Sequence, residues 1–387
     1  MRKMKAAVIG AGFMGKTHVD ALRRLGTVEV AAVAGISPEE AQSFAAAMGV
    51  PVAAPDYKAI LADPEIDGVH ICTPNATHFP IAMDALKAGK NVLCEKPLAM
   101  SSAEAQQMVD LAAKKKLVNA TNHNLRCYPM VQQIRRMIEA GELGEILTVQ
   151  GTYSQDWLLY DTDFNWRIQR KANGPLRVMG DIGSHWMDTV QHVTGLAITE
   201  LCADLAIIHK TRKQPRVAIE TFAGKTLKPE DYNEVKIDTE DFGMCLLHLG
   251  KSCRGAFTVS QVAAGCKNRF EFMIAGSKCA VAWNQENPNQ IWIGNRNEPN
   301  KLLLKDPSML APKAAAFADY PGGHAEGYPD AHKQNFKRFW ARVADPSLPV
   351  DYPTFADGLR GMQLLEAVIE SNKKRAWIKC APAKGKK

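Results

Sequence analysis

The chain has 387 residues, 46% of them apolar and 23% charged, with a formal net charge of +7. These values fit a globular chain long enough for two domains and exclude a disordered or low-complexity protein. The positive excess is scattered apart from Lys114-Lys115-Lys116 and a Lys-rich tail, and no basic stripe is interleaved with aromatics, so no nucleic-acid partner is expected, nor a membrane one, since no stretch is apolar enough to span a bilayer.

Ala6-Ala7-Val8-Ile9 reads as a strand and Lys16 to Leu25 as a helix. Between them stands Gly10-Ala11-Gly12-Phe13-Met14-Gly15. This order suits a dinucleotide. Gly10 allows a sharp turn, Gly12 admits a pyrophosphate to the backbone, and Gly15 lets helix and strand pack closely. A second strand, Val28 to Val33, precedes a helix from Pro38 to Met48 that Ser37 caps. Short strands at Val69 to Cys72 and Asn91 to Cys94 flank a helix from about His78 to Ala88, closed by Gly89. Ser101 and Glu104 form a capping box that opens a helix reaching about Lys115, and Leu117 to Ala120 is one more strand. Such alternation implies parallel strands with helices on both faces, an α/β Rossmann domain over residues 1–125.

Beyond Arg126 the texture changes. Pro129 to Ala140 has helical spacing. Longer alternating runs follow at Ile146–Tyr153, Glu200–Ile208, Phe242–Leu249, Cys253–Val262, Arg269–Ala275 and Cys279–Trp283, with turns at Gly250-Lys251 and Gly276-Ser277. Residues 126–387 therefore read as an α+β domain with a large, mostly antiparallel open sheet. Arg212 to Asp231 and Asn295 to Pro329 read as loops. Asp330–Val343 and Phe355–Ser371 carry helical spacing, and the C-terminal helix is expected to pack back on the first domain.

At the tip of the second strand, where an NAD site usually carries an acid for the adenosine ribose, the chain has Gly35. No Arg follows to attract a 2′-phosphate, and Ser37 is placed to bind one or simply to cap the helix, so NAD and NADP both stay open. Thr73-Pro74-Asn75-Ala76-Thr77-His78 and Glu95-Lys96-Pro97 each follow a strand, and open parallel sheets bind ligands beyond their carboxyl ends. Taken alone, Glu-Lys-Pro also reads as a surface turn. In the second domain lies Gly180-Asp181-Ile182-Gly183-Ser184-His185-Trp186-Met187-Asp188. If helical, it sets Asp181 and His185 on one face, with Asp188 and His192 continuing the stripe. An imidazole beside a carboxylate suits proton transfer near neutral pH. The competing readings are a structural polar stripe and a metal site through His185, Asp188 and His192. The latter lacks any further ligand cluster, and no metal is expected.

The order glycine turn, T-P-N-x-x-H, E-K-P and D-I-G-S-H resembles the Gfo/Idh/MocA family, named for glucose–fructose oxidoreductase and inositol dehydrogenase, over essentially the whole chain. The resemblance implies a nicotinamide cofactor, NAD or NADP. It implies Lys96, Asp181 and His185 as the catalytic trio, and Gly10, Gly12, Phe13, Met14, Gly15, Thr73, Asn75, His78, Glu95 and Lys96 as cofactor contacts, to which Ser37 is added. Asn165-Trp166-Arg167 resembles a loop that approaches nicotinamide and substrate in sugar-acting members, so Trp166 and Arg167 join the cofactor set; its plainer reading is a hydrophobic anchor. Gly322 to Gly327 resembles another loop of sugar-acting members, and His324 with Asn124 and Asp156 are candidate substrate contacts.

The implied activity is hydride transfer between nicotinamide and a secondary carbon of a sugar, glycoside or cyclic polyol. The alternatives are NAD-dependent glycoside cleavage through transient oxidation and elimination, and a non-catalytic nicotinamide or sugar sensor. The resemblance also implies a homodimer or homotetramer built through the open sheet. Nine cysteines, an odd count without C-x-x-C, argue against disulfides and structural zinc, and the basic start runs straight into the glycine turn with no room for a signal sequence. A reducing, cytoplasmic setting is expected.

Overall fold

The computed structural model describes residues 3–216 and 231–382. Residues 217–230 of the expected loop and the end of the Lys-rich tail lie outside them. The described chain forms two compact units: one runs to Tyr128 and resumes over Glu326–Met362, and the other spans Pro129–Ala325 and continues from Gln363.

In the first unit the strands are β1 (Met4–Ile9), β2 (Val28–Ala34), β3 (Val52–Ala53), β4 (Gly68–Ile71), β5 (Asn91–Cys94) and β6 (Asn119–Thr121). They form a six-stranded parallel sheet in the order β3-β2-β1-β4-β5-β6. The strand order reverses between β1 and β4, where successive strands switch from being added on one side of β1 to the other, and this is the crevice where doubly wound sheets bind ligands. Helices α1 (Phe13–Arg23), α2 (Pro38–Met48), α3 (Tyr57–Ala62), α4 (His78–Lys87) and α5 (Ser102–Lys115) connect them. The predicted caps form. Ser37 accepts the Glu40 N–H at 3.3 Å and Ser101 the Glu104 N–H at 3.2 Å. α2 ends on Gly49 in the left-handed region at φ +61°.

The second unit carries α6 (Pro129–Glu139), β7 (Ile146–Ser154), α7 (Arg170–Asn173), α8 (Ser184–Thr194), β8 (Ile198–Ala206), β9 (Thr211–Pro215), β10 (Tyr232–Lys236), β11 (Phe242–Leu249), β12 (Cys253–Ser260), β13 (Arg269–Gly276), β14 (Ala280–Asn284), β15 (Gln290–Gly294), β16 (Lys301–Leu304) and, after a short α9 (Pro312–Ala315), β17 (Ile378–Lys379). The nine-stranded sheet runs β16-β15-β14-β13-β7-β12-β11-β8-β17. It is antiparallel except where β12 pairs with β7. On its covered face, Trp186 of α8 stacks on Phe257 of β12 with centroids 4.4 Å apart.

Two expected loops contain strands. β9 overlaps the start of the stretch read as Arg212 to Asp231 and pairs antiparallel with β10, which begins just beyond its end, in a separate two-stranded sheet. Their sequences, Thr-Arg-Lys-Gln-Pro and Tyr-Asn-Glu-Val-Lys, carry no apolar alternation. What anchors them is Arg212, fully buried, which donates to the carbonyls of Leu158, Tyr160 and Asp163 and to Asp241. β16 falls in the stretch read as Asn295 to Pro329, where Lys-Leu-Leu-Leu is too short a run to show a period.

α10 (Tyr328–Ala344) belongs to the first unit, as does α11 (Phe355–Lys374) as far as Met362. Phe336, Phe339 and Trp340 of α10 are fully buried in one core with Val8, Val30 and Leu93. The dinucleotide-type unit is thus assembled from both ends of the chain. All nine cysteines are free thiols, and among the described residues no helix is long and apolar enough to cross a membrane.

Candidate active site

The first unit prepares a phosphate cradle. β1 ends at Gly10, whose N–H donates to the Ala34 carbonyl at 2.8 Å and whose φ is +115°. A Cβ at Gly10 would lie 2.6 Å from the Cys72 oxygen, and one at Gly15 would lie 2.1 Å from the Gly10 oxygen, so both positions exclude a side chain. A Cβ at Gly12 would meet nothing within 4 Å. Gly12 caps α1 without a side chain, and the helix's first backbone bond back runs from Lys16 N–H to Gly12 O at 3.1 Å. The space beside Gly12, at the positive end of the helix dipole, therefore has room for a pyrophosphate. Phe13 is half exposed beside it, and Met14 accepts the Tyr328 hydroxyl at 3.5 Å.

Beyond β4 and β5 two loops are tied together. His78 is fully buried, with Nε2 2.9 Å from the Thr73 carbonyl and Nδ1 2.8 Å from the Pro97 carbonyl. It joins the Thr73-Pro74-Asn75 turn to the Lys96-Pro97 turn. Thr73 also accepts the Thr77 hydroxyl at 2.7 Å, and Asn75 is nearly buried. Lys96 is half-buried.

Behind Lys96 lies a buried polar chain with a fixed direction. The Trp340 indole N–H can only donate, and it does so to His70 Nε2 at 3.0 Å. Burial, reinforced by His18, holds the His70 pKa well below the usual histidine range. Its proton therefore sits on Nδ1, 3.0 Å from His18 Nδ1. His18 then presents its Nε2–H to Glu95 Oε1 at 2.9 Å. Asn122 also donates to Glu95 and, at 3.1 Å, to His332 Nδ1, while Asn335 donates to the Asn122 oxygen at 2.9 Å. Burial opposes the Glu95 charge, but the bonds from His18 and Asn122 outweigh it and hold the carboxyl well below the usual range. A buried carboxylate thus stands next in sequence to the lysine. Asn124 is buried nearby in sequence, and its Nδ2 has no hydrogen-bond partner among the described residues.

In the second unit, Met179–Gly183 forms a single π-helical turn that leads into α8. Asp181 sits in that turn and His185 in the first turn of α8, nearly buried, with its ring 6.3 Å from that of Tyr153. Gln261 donates to Asp181 Oδ2 at 2.7 Å, and Arg177 donates to the Gln261 oxygen at 3.0 Å. Arg177 is itself fully buried against Asp241. Arg167 Nε lies 3.6 Å from Asp181 Oδ1, and its guanidinium lies 4.5 Å from the centre of the Trp166 ring. Asn165 caps this turn by accepting the Arg167 N–H at 3.1 Å. The carboxylate is therefore oriented from two sides.

The expected stripe does not continue as a site. His192 lies 3.0 Å from Gln132 Nε2 and 2.9 Å from Arg135 Nη1, which ties α8 to α6. Asp156 is engaged by the Lys267 ammonium at 2.6 Å and by the Gly265 N–H at 3.1 Å. His324 is exposed, in a loop whose Tyr320 and His324 carbonyls accept from the buried Lys305 ammonium at 3.1 and 2.8 Å. Gln261, Arg177 and the His18–His70–Trp340 chain are absent from the expected set. None belongs to a recognisable spacing, and only the fold brings them to their partners.

A doubly wound sheet with a bare helix start at its switch point, joined to an open-sheet unit, defines a two-unit dinucleotide-dependent oxidoreductase. Residues 4–123 match the model of the oxidoreductase family with an NAD-binding Rossmann fold, and residues 131–282 match the GFO/IDH/MocA C-terminal domain. The chain belongs to the Gfo/Idh/MocA family, and its cofactor is a nicotinamide dinucleotide. It is 27% identical over 393 residues to levoglucosan dehydrogenase of Pseudarthrobacter phenanthrenivorans, covering 98% of each protein. A structure of levoglucosan dehydrogenase in complex with NADH and L-sorbose superposes with a TM-score of 0.88 at 26% identity, covering 98% of this chain and 100% of that one. A structure of an inositol dehydrogenase homolog from Azotobacter vinelandii, complexed with NADH and myo-inositol, gives a TM-score of 0.86 at 26% identity and 98% coverage of both.

Proposed function

We propose that this chain oxidises a secondary hydroxyl of a sugar, glycoside or cyclic polyol, or reduces the matching ketone. The observation that carries this reading is the Asp181–His185 segment, with its carboxylate held by Gln261 and Arg167, in a chain whose full-length relatives are named for levoglucosan and inositol. The nicotinamide, when bound, supplies the hydride acceptor. His185 takes the hydroxyl proton as general base. Asp181 orients the imidazole and stabilises its charged form, while Lys96 donates hydrogen bonds to the reacting oxygen. His78 holds the Thr73 and Lys96 turns together, and the glycine turn seats the pyrophosphate. Of the remaining candidates, Trp166 and Arg167 are proposed to border the cofactor, and Asn124 to contact substrate.

The test is a panel of sugars and polyols assayed with both oxidised cofactors at the nicotinamide absorbance band. Lys96→Ala and His185→Ala should each keep dinucleotide binding and lose turnover by about 10²- to 10⁴-fold, the usual worth of a positioned acid or base. Near-native turnover in either variant refutes its role. Release of an aglycone without net cofactor reduction would mark glycoside cleavage instead.

We also propose a homo-oligomer that buries the open face of the large sheet. That face carries a groove of about 820 Å³ lined by Gln150, Thr152, Met244, Leu246, Met273 and Trp292. Leu246 is 53% exposed at mid-strand, an unusual place for a large apolar side chain on a free surface.

A further inference from the structure

We infer that Glu40 sets the cofactor preference: its carboxylate, carried on α2, stands in for the acid that NAD sites ordinarily carry at the tip of β2, and it disfavours NADP. The inference rests on the dinucleotide reading of the first unit. β2 ends at Ala34, whose carbonyl accepts the Gly10 N–H, so the residues that follow border the glycine turn. At that tip the chain has Gly35, with no side chain to offer a ribose.

The space is filled from the helix. A Cβ built on Gly35 would lie 2.4 Å from Glu40 Oε2 and 3.1 Å from the Ala41 nitrogen. Gly35 and Glu40 are thus a matched pair, since any side chain at 35 would expel the carboxylate. The cap geometry aims it there. Ser37 accepts the Glu40 N–H as in a capping box, where the acid would reach back to the N–H of the capping residue itself. Here Glu40 Oε2 reaches one residue further and accepts the Ile36 N–H at 2.7 Å. Its other oxygen makes no hydrogen bond among the described residues.

A carboxylate at this position accepts from ribose hydroxyls. A 2′-phosphate would instead set a second anion against it, and like charges in contact reject a ligand. Ile36 completes the edge, its side chain 87% exposed beside the same tip.

Fluorescence titration of the full chain with NADH and with NADPH tests this. NADH is expected to bind at least about tenfold more tightly, the scale of one like-charge contact. Glu40→Gln keeps an oxygen for the Ile36 N–H while removing the charge, and should narrow the NADH-to-NADPH ratio severalfold. Glu40→Arg should narrow it further or reverse it. Glu39→Gln makes the same charge change on the exposed neighbour and should leave the ratio where it was. Equal or tighter binding of NADPH by the native chain, or a ratio unmoved by Glu40→Gln, overturns the inference. Failure of both dinucleotides to bind overturns the dinucleotide reading and the inference with it.

Discussion

Gln261 shows how much of a site can rest on an uncharged side chain that no motif announces. Its amide N–H donates to Asp181, and its oxygen accepts from Arg177. Gln261→Leu keeps the volume and removes both bonds. Turnover is expected to fall by about 10- to 100-fold with dinucleotide affinity unchanged, the range seen when a group that orients a reacting residue is lost. Arg177 would also be left short of a partner, at a cost of about 1–3 kcal/mol in the unfolding free energy from denaturant titration. A variant with native turnover would show that Asp181 needs no such support. The motif residues themselves were legible because their types are chemically restrictive. Gly10 and Gly15 sit where no side chain fits, and Ser37 caps α2 as its position predicts. Gln261 was not legible, because a glutamine at the end of an alternating run reads like any polar residue on a strand.

Elements were legible wherever period or caps were strong. The helices opening at Pro38 and Ser102 and the long strands of the second unit fall within a few residues of their sequence readings. The hairpin of β9 and β10 was not, because a single buried arginine replaces an apolar face there. α10 was readable as a helix, yet its length said nothing of the histidines its Trp340 and His332 meet. That buried cluster has a consequence for acid stability. Burial, reinforced by His18, pushes the His332 pKa down to about 3, and His70 also lies well below its usual value. Free histidine titrates near about 6.5. Below that pH the unfolded chain takes up protons that the folded chain refuses. The contribution is therefore complete above about pH 6.5 and is lost as pH falls toward 3. Glu95 adds a loss below about pH 4.3, because its folded pKa is also depressed. Unfolding free energies from urea titration should fall between about pH 6.5 and 4.5, by at most about 1.4 kcal/mol per pH unit for each group, and less steeply in His332→Gln. Equal slopes in native and variant chains would remove His332 from the account. Trp340→Phe removes the donor at the head of the chain and part of a buried ring, and should cost at least about 1–3 kcal/mol, from leaving His70 Nε2 buried without its partner and from the space left in the core.

At the scale of the molecule, the large sheet offers one covered and one open face. Along β11 the two alternate, with Cys245, Leu247 and Leu249 buried and Met244 and Leu246 exposed. Such a pattern places the face proposed for association on the alternate residues of an otherwise ordinary strand. Leu246→Glu sets a charge in the middle of that surface and is expected to lower the mass measured by light scattering to that of a monomer while leaving the circular dichroism spectrum intact. An unchanged mass would exclude pairing through this face.

The return of Glu326–Met362 to the first unit also governs the timing of biosynthesis. A nascent chain that has emerged only as far as Tyr128 holds every strand of the parallel sheet yet lacks Phe336, Phe339 and Trp340 to seal its core. The amino-terminal unit must therefore wait, with apolar surface uncovered, while all of Pro129–Ala325 is synthesised. Expressed alone, a fragment ending at Tyr128 should bind hydrophobic dyes and fail to retain dinucleotide, and chaperone demand should peak while the ribosome is reading the second unit.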